Sequence, residues 1–425
     1  MPRQSSSESK RSKNKMYDLA IIGAGPAGIG CAKGSLNSGL KTVLIEKDEQ
    51  SFGGTCINVG CIPTKFFLTQ SKSGKSWGDI SPASKEVIDK IKSPLLKFLQ
   101  NGGLDVVWGK GCFCDKNTIE VEGKKIQAKH IVIATGSRPI KIFDHPKVIF
   151  AEQIFEKKDI GKKVLIIGGG YIGLEMASLF NSLGKEVALI EKEKRILPNF
   201  DKSLSQRLKT ILVKKGIKIQ ENKDASGVNF DDFDLVISAV GRAPNTSGLG
   251  LEKIGINLKA QGWIKTDEHL QTNIKDVYAC GDVTGKELLA YVAEYQASLC
   301  IKNITNLGEE ENYSGLPECV FSIPSVAKVG ILEEEAKEKN IKYRVIKSNF
   351  LKFSSSYVYE DLDGFIQVLV DDNDKILGAG IISNEASELI SLFSFCIRHN
   401  LKLSDLKDNL FIHPTFSEII PLLFR

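Results

Sequence analysis

The feature that most constrains the fold is a unit of strand, glycine loop, helix and strand that occurs twice in the chain. In the first copy, an apolar run over 17–22 leads into a loop with Gly23, Gly25 and Gly28, and a helix and a second strand follow before Glu46. Glycines at this spacing let the backbone approach a pyrophosphate at the helix N-terminus, and the acid can accept hydrogen bonds from both ribose hydroxyls. The unit therefore predicts a dinucleotide-binding fold.

The second copy begins 145 residues later. An apolar run over 164–167 leads into Gly168, Gly170 and Gly173, and a helix and a strand are predicted before Glu191. Two complete units predict two bound dinucleotides. Glu191 would hydrogen-bond a ribose 2′-hydroxyl and repel a 2′-phosphate, which favours NAD over NADP. The basic residues that follow it could weaken this preference.

Two cysteines five residues apart, Cys56 and Cys61, lie in a glycine-rich stretch that a proline and a lysine close. On a regular α-helix this spacing rises about 7.5 Å, beyond the roughly 7 Å limit between the α-carbons of a disulfide. A bridge here would therefore require locally irregular backbone. Gly53, Gly54 and Gly60 supply that conformational freedom.

The thirteen residues from Gly53 to Lys65 resemble the redox-active disulfide of the flavin-dependent pyridine nucleotide–disulfide oxidoreductases, and within that family the dihydrolipoamide dehydrogenases most. The resemblance implies FAD and NAD as cofactors. It implies an α/β fold with two Rossmann-like dinucleotide-binding domains and an α+β dimerisation domain. Cys56 would exchange with substrate, Cys61 would lie against the flavin, and Lys65, paired with Glu175, would lie near the flavin N5. Electrons would run from dihydrolipoamide through a Cys56–Cys61 disulfide and FAD to NAD.

The resemblance extends to other cofactor residues. Segments over 131–139 and 235–245 match the strand that follows each dinucleotide unit in this family, 277–282 looks like its second FAD signature, and 289–294 resembles the helix start under the flavin. The FAD-binding residues implied are Gly23, Gly25, Gly28, Glu46, Gly54, Thr55, Lys65, Thr135, Gly136, Gly281, Asp282 and Ala290. The NAD-binding residues implied are Gly168, Gly170, Tyr171, Gly173, Glu191 and Gly241.

A histidine near the C-terminus is the candidate proton-transfer group. Of the five histidines, His413 alone is followed both by a proline and, five residues on, by a carboxylate, Glu418. An unperturbed cysteine with a pKa around 8.5 is mostly protonated at neutral pH, and a neighbouring histidine can take and return its proton. A carboxylate behind the imidazole fixes its tautomer and stabilises its charged form. In the family this histidine faces the disulfide of the other subunit, which implies a catalytic homodimer.

The predicted domains are a disordered basic tail over 1–15, an FAD-binding domain in two parts over 16–145 and 266–313, an NAD-binding domain over 146–265, and a dimerisation domain over 314–425. The tail has five Lys and Arg against one Glu and accounts for four of the five net positive charges. We therefore predict no nucleic-acid partner for the folded body, and contact of the tail with nucleic acid or an anionic surface stays a secondary interpretation.

Composition also bears on the compartment. Nine cysteines are scattered over 425 residues without an export signal, which indicates a reducing compartment such as the cytoplasm. No apolar run reaches about 18 residues, so no membrane span is predicted. No metal site is predicted.

The chain departs from the family pattern in length. It is shorter than usual, with apparent deletions between Lys65 and Trp108 and between Gly216 and Asp234. The first deletion could widen access to the disulfide. The second would remove part of a strand meander from the NAD-binding domain.

Individual residues leave the substrate open. Phe411 stands where dihydrolipoamide dehydrogenases usually have another histidine, and Tyr171 is more similar to the tyrosine that covers the nicotinamide pocket of glutathione reductase. The absence of a cysteine after Cys396 argues against mercuric reductase and the large thioredoxin reductases. Phe411 and Tyr171 weaken the substrate prediction without changing the reaction class, and our first expectation is a dihydrolipoyl dehydrogenase that serves a 2-oxoacid dehydrogenase or glycine cleavage complex.

Two alternatives remain. One is an NAD(P)H-dependent reductase of another low-molecular-weight disulfide, such as glutathione disulfide. The other is a non-catalytic flavin-binding assembly component. The joint presence of Cys56, Cys61, His413 and Glu418 argues against the latter, because a silent protein has no reason to keep four dispersed groups.

Overall fold

The structure is a computed structural model that describes residues 16–352 and 354–424. The predicted basic tail over 1–15 lies outside the described residues. The chain divides into two compact units, one of Met1–Ile62, Glu86–Arg138 and Arg242–Glu311, and one of Pro63–Lys85, Pro139–Gly241 and Asn312–Arg425. Within the described ranges, no helix combines the length and the apolar character that crossing a membrane would need.

The strands and helices are numbered in chain order. The first are β1 (Met16–Ile22), α1 (Pro26–Asn37), β2 (Thr42–Glu46), α2 (Gly54–Asn58), α3 (Cys61–Ser71), α4 (Trp77–Asn101), β3 (Asp105–Trp108), β4 (Gly111–Asp115), β5 (Thr118–Val121), β6 (Lys124–Ile133) and β7 (Ser137–Pro139). Next come β8 (Val148–Phe150), β9 (Lys163–Ile167), α5 (Tyr171–Ser182), β10 (Glu186–Ile190), α6 (Lys202–Lys214), β11 (Lys218–Gln220), β12 (Leu235–Ser238), β13 (Arg242–Pro244), α7 (Leu251–Ile254), β14 (Val277–Ala279) and α8 (Ala290–Ile304). The last are β15 (Pro317–Val320), β16 (Ser325–Gly330), α9 (Glu333–Glu338), β17 (Arg344–Asn349), α10 (Ser354–Val358), β18 (Phe365–Val370), β19 (Ile376–Ser383) and α11 (Ala386–Arg398).

The first unit is built on a sheet with strand order β3-β2-β1-β6-β5-β4, in which β14 also pairs with β6. The strands β3, β2, β1, β6 and β14 run parallel to their neighbours. Leu19 and Ile21 of β1 pack into one apolar core, whereas Ala20 and Ile22 pack into another. Because both faces of this parallel sheet are covered, β1 is a nearly continuous apolar run rather than an alternating one.

The second unit contains two sheets. The first is parallel throughout, with strand order β11-β10-β9-β12-β8. The second is antiparallel, with strand order β15-β16-β19-β18-β17, and α11 packs against it through residues such as Phe393. Two sheets with parallel central strands and a glycine loop after one of these strands, followed by an antiparallel sheet with helices, confirm the predicted fold class.

Boundaries differ from the sequence-based predictions by a few residues. The first helix, predicted to follow the loop that contains Gly28, begins at Pro26, because the fixed φ of proline suits the first helical position. The segment over 221–234 contains two short 3₁₀ turns, Ala225–Gly227 and Phe230–Asp232, between β11 and β12. The deletion between Gly216 and Asp234 was predicted to remove part of a strand meander, and the segment from 221 to 234 contains these turns.

Candidate active site

The glycine loop between β1 and α1 is shaped for a phosphate. Gly23 has a φ of 104°, which side chains rarely adopt, and a Cβ on Gly28 would lie 1.8 Å from the carbonyl oxygen of Gly23. The helix can therefore pack this closely on the loop only with glycine at that position. Gly25 is the N-cap residue of α1 and has no side chain to bind the first helical amides. Those amides suit an anionic ligand, so the loop fits the pyrophosphate of FAD.

The loop between β9 and α5 repeats this geometry. Gly168 has a φ of 105°, and a Cβ on Gly173 would lie 1.9 Å from the carbonyl oxygen of Gly168. The N-cap residue Gly170 has φ −82° and ψ −165°, against φ −78° and ψ −171° at Gly25. The sequence repeat is thus a repeat of backbone shape, and this second loop fits the pyrophosphate of NAD.

The acids that end the second strands hold these loops. Glu46 Oε2 accepts a hydrogen bond from the Ala24 amide at 2.7 Å, and Glu191 Oε2 accepts one from the Gly169 amide at 2.5 Å. Burial raises the pKa of the Glu46 carboxyl. A carboxylate oxygen has two lone pairs, so each acid can still accept from a ribose hydroxyl. The sequence predicted the ribose contact and missed the loop contact, which has no sequence signal of its own.

The backbone between the two cysteines is irregular, as their spacing requires. Cys56 lies in α2, Cys61 is the first residue of α3, and Val59, with a φ of −144°, ends α2 between them. A Cβ on Gly60 would lie 2.8 Å from the carbonyl oxygen of Thr55. Cys56 is half-buried and Cys61 is exposed.

The cysteine stretch lies against the first glycine loop. The Gly53 amide donates to the Ala24 carbonyl at 2.9 Å, and a Cβ on Gly54 would lie 2.6 Å from the Cα of Gly25. The Asn58 side chain donates to the carbonyls of Phe52 and Gly54, each at 2.9 Å. Asn58, the last residue of α2, is therefore hydrogen-bonded both to the first residue of that helix and to the chain that precedes it. This role of Asn58 was not predicted, because its partners cannot be read from the sequence.

Residues from two segments, 131–139 and 235–245, contact each other in the first compact unit. Each segment follows one of the two glycine-loop motifs in the sequence. Thr135 Oγ1 donates to the Asn245 carbonyl at 2.8 Å, and the Asn245 amide donates to the Gly136 carbonyl at 3.0 Å. The matched order of the two segments along the sequence corresponds to this direct contact. Gly241 lies after β12 in the segment over 235–245 and has a φ of 124°.

Asp282 is held in a polar network. Ser137 Oγ donates to Asp282 Oδ2 at 2.5 Å, and Arg242 Nε donates to Ser137 Oγ at 2.7 Å. Burial raises the pKa of the Asp282 carboxyl. The Gly281 amide donates to the side chain of Gln296 at 2.7 Å, and Gln296 lies on α8, whose first residue is Ala290. Ser137, Arg242 and Gln296 were missed as site residues.

Lys65 and Glu175 form an ion pair within the second unit. Lys65 Nζ lies 2.7 Å from both carboxylate oxygens of Glu175, and the Phe321 amide donates to Glu175 Oε1 at 3.2 Å. Lys65 Nζ also lies 4.4 Å from the centre of the Phe321 ring. Glu175 is 8% exposed, so these partners supply the hydrogen bonds that its buried carboxylate cannot take from water.

Tyr171 begins α5, next to the second glycine loop, and its hydroxyl donates to the carboxylate of Glu318. Glu318 pairs with Lys328 at 3.0 Å, and the Tyr171 ring meets the Phe200 ring edge-on at 5.7 Å. The tyrosine is thus held on two sides. Neither partner could be found from the sequence, because both are distant along the chain.

His413 and Glu418 form the predicted pair. His413 Nδ1 lies 2.8 Å from Glu418 Oε1, and Glu418 Oε2 accepts hydrogen bonds from Ser355 Oγ at 2.5 Å and from the Thr415 amide at 3.0 Å. The Ser355 hydroxyl, followed by His413, lowers the pKa of the Glu418 carboxyl to about 2. The His413 side chain is 69% exposed, so its ring is open to another molecule. Ser355 was not predicted.

The fold and these residues define a protein that binds two dinucleotides, with two cysteines five residues apart in a stretch that lies against the first binding loop. Two family models match the chain: pyridine nucleotide-disulphide oxidoreductase over residues 17–297, and the dimerisation domain of that family over residues 316–423. The chain belongs to the pyridine nucleotide-disulphide oxidoreductase family and is an enzyme of that family. FAD and NAD are confirmed as its cofactors, and the dimerisation domain supports a homodimer.

Individual relatives are similar over nearly their whole length. The chain is 33% identical to the dihydrolipoyl dehydrogenase of Chlamydia trachomatis serovar D, with 96% of both proteins covered. It is 32% identical to the dihydrolipoyl dehydrogenase of Bacillus subtilis strain 168, with 95% of this chain and 94% of that protein covered. Among solved structures, the flavoprotein disulfide reductase RclA from Escherichia coli, in its Cu(II) complex, has a TM-score of 0.92 at 27% identity, covering 96% of this chain and 99% of that one.

Proposed function

We propose that the protein is a dihydrolipoyl dehydrogenase, which oxidises a dihydrolipoyl group to the lipoyl disulfide and reduces NAD to NADH. The observation that carries the proposal is the irregular Cys56–Cys61 stretch anchored on the first glycine loop. Similarity to dihydrolipoyl dehydrogenases over 96% of the chain supports it. We also propose a cytoplasmic location and a lipoyl-bearing 2-oxoacid dehydrogenase or glycine cleavage complex as partner.

The cysteines perform the exchange with substrate. One thiolate of the dihydrolipoyl group attacks the sulfur of Cys56, and the Cys56–Cys61 bond breaks with Cys61 as the leaving thiolate. The second substrate thiolate then displaces Cys56, so that the lipoyl disulfide forms as the cysteine pair becomes a dithiol. Bound at the first glycine loop, FAD supplies the two-electron acceptor that links this dithiol to NAD.

The other residues control charge and protons. The imidazole of His413 from the partner subunit takes the proton of the attacking thiol, and the ionised Glu418 stabilises the resulting imidazolium. The ordered hydrogen bonds to Glu418 hold that carboxylate in place. The Lys65 ammonium group, which Glu175 holds in place, would supply a positive charge beside bound FAD and so favour its acceptance of electrons.

Steady-state turnover tests the substrate. The purified holoenzyme should reduce NAD with dihydrolipoamide at least tenfold faster than it reduces NADP. NADH oxidation should be faster with lipoamide than with glutathione disulfide. Turnover with glutathione disulfide alone would contradict the dihydrolipoyl proposal.

A reductase of another low-molecular-weight disulfide is the second candidate. Tyr171 at the second glycine loop favours it, and so does the similarity to a protein described as a flavoprotein disulfide reductase. The same assay separates the two. A non-catalytic role would require that FAD be lost on purification, or that two-electron reduction give no long-wavelength absorbance band.

A further inference from the structure

A lysine on α4 contacts the cysteine stretch in the first unit. Lys92 Nζ donates to the carbonyl of Gln50 at 2.5 Å and to Asn58 Oδ1 at 3.2 Å. Asn58 lies between the two cysteines in sequence and donates through its side-chain nitrogen to Phe52 and Gly54. One ammonium group therefore joins residues on both sides of Cys56.

Lys92 differs from an ordinary surface lysine. It is half-buried, and burial lowers the pKa of its ammonium group while the charges of Asp89 and Asp48 oppose that shift. A hydrogen bond from a charged donor is about twice as strong as a neutral one. By contrast Lys90, two residues earlier, makes an exposed ion pair with Glu86 at 2.7 Å.

We propose that Lys92 is a positioning residue for the redox-active cysteines and acts through Asn58. By fixing the Asn58 side chain, it holds the turn between Cys56 and Cys61 in the shape that a disulfide requires. The inference rests on the proposed function of these two cysteines.

The reason lies in the different demands of the two redox states. A disulfide needs its α-carbons about 4.4 to 6.8 Å apart and a defined dihedral angle, whereas a dithiol has no such requirement. Loosening the turn lowers the effective concentration of one thiol at the other. The disulfide then becomes easier to reduce by two electrons and two protons, so its reduction potential rises.

The measurement is the fraction of Cys56–Cys61 disulfide in the full-length holoenzyme, equilibrated in buffers of dihydrolipoamide and lipoamide. Thiols are trapped by alkylation and counted by mass spectrometry. We expect Lys92→Met to shift the equilibrium toward the dithiol about tenfold, which corresponds to about 30 mV. Because arginine keeps the positive charge, Lys92→Arg should show at most half of that shift on a logarithmic scale. The matched control Lys90→Met should stay within twofold of wild type.

A double-mutant cycle tests the route through Asn58. In an Asn58→Ala background, Lys92→Met should add less than a twofold change, because its target has been removed. Additive effects would overturn that route, and an unchanged equilibrium in Lys92→Met would overturn the proposal. Should Asn58→Ala fail to retain FAD, Asn58→Leu takes its place, because leucine is of similar size and offers no acceptor to Lys92. Absence of the disulfide from wild type under oxidising conditions would instead refute the proposed function itself.

Discussion

Gly170 and Gly173, at the start of α5, should respond differently to replacement by alanine. One replacement should lower stability, and the other should lower NADH binding. A Cβ on Gly173 would lie 1.9 Å from the Gly168 carbonyl oxygen, whereas ordinary contact begins near 3.4 Å. The helix α5 or the loop would therefore have to move by about 1.5 Å, and because backbone meets backbone we expect a loss of about 2–3 kcal/mol in the free energy of unfolding. At Gly170 no atom lies within 4 Å of the added Cβ, and φ is −82°.

Gly170→Ala should therefore leave the free energy of unfolding unchanged or raise it by about 0.5 kcal/mol, since alanine restricts the unfolded chain. It should nevertheless weaken NADH binding at least tenfold, because the added methyl group occupies the space that a pyrophosphate approaches. Urea unfolding measures the first quantity and NADH fluorescence titration the second, with bound FAD as the control. The reasoning is refuted if Gly170→Ala binds NADH within twofold of wild type, or if Gly173→Ala is as stable as wild type.

Three further predictions test the charged groups. Because the Glu418 carboxyl has a pKa of about 2 rather than 4.5, its stabilising contacts are complete above pH 4.5 and are lost as the pH falls toward 2. The urea-midpoint advantage of wild type over Glu418→Gln should shrink across that window, and at neutral pH this variant should turn over lipoamide about 10- to 100-fold more slowly while ferricyanide reduction is unchanged. A double-mutant cycle of Lys65→Met and Glu175→Gln should give a coupling free energy of about 1–2 kcal/mol by urea unfolding, a value that allows for the partial exposure of Lys65. An additive result would contradict the ion pair. Glu318→Gln should weaken NADH binding about threefold through Tyr171 without changing reduction by dihydrolipoamide, and tighter binding would contradict this role.

The parts of the site that could be predicted are those where covalent geometry leaves no choice of residue. Gly28 and Gly173 are required wherever a helix packs this closely on a loop, so their spacing carries the structure with it. The irregular turn between Cys56 and Cys61 followed in the same way, from the reach of a disulfide.

The residues that were missed act through contacts distant along the chain. Ser355 is separated from Glu418 by 63 residues, and Lys92 from Asn58 by 34. Serine and lysine are common on every surface, and nothing in their local sequence distinguishes these two. Such contacts depend on how elements pack, which a periodic pattern does not determine.

Glu191 connects cofactor choice to loop structure. Its Oε2 accepts a hydrogen bond from the Gly169 amide at 2.5 Å, and its Oε1 accepts one from the Glu193 amide at 2.7 Å. The residue is buried, so it cannot turn outward without leaving those amides unpaired. A basic residue here would gain a 2′-phosphate partner and lose both acceptors that shape the loop. The preference for NAD over NADP that this position predicts is therefore coupled to the loop's own stability, and the nearby lysines could supply positive charge without disturbing that anchor.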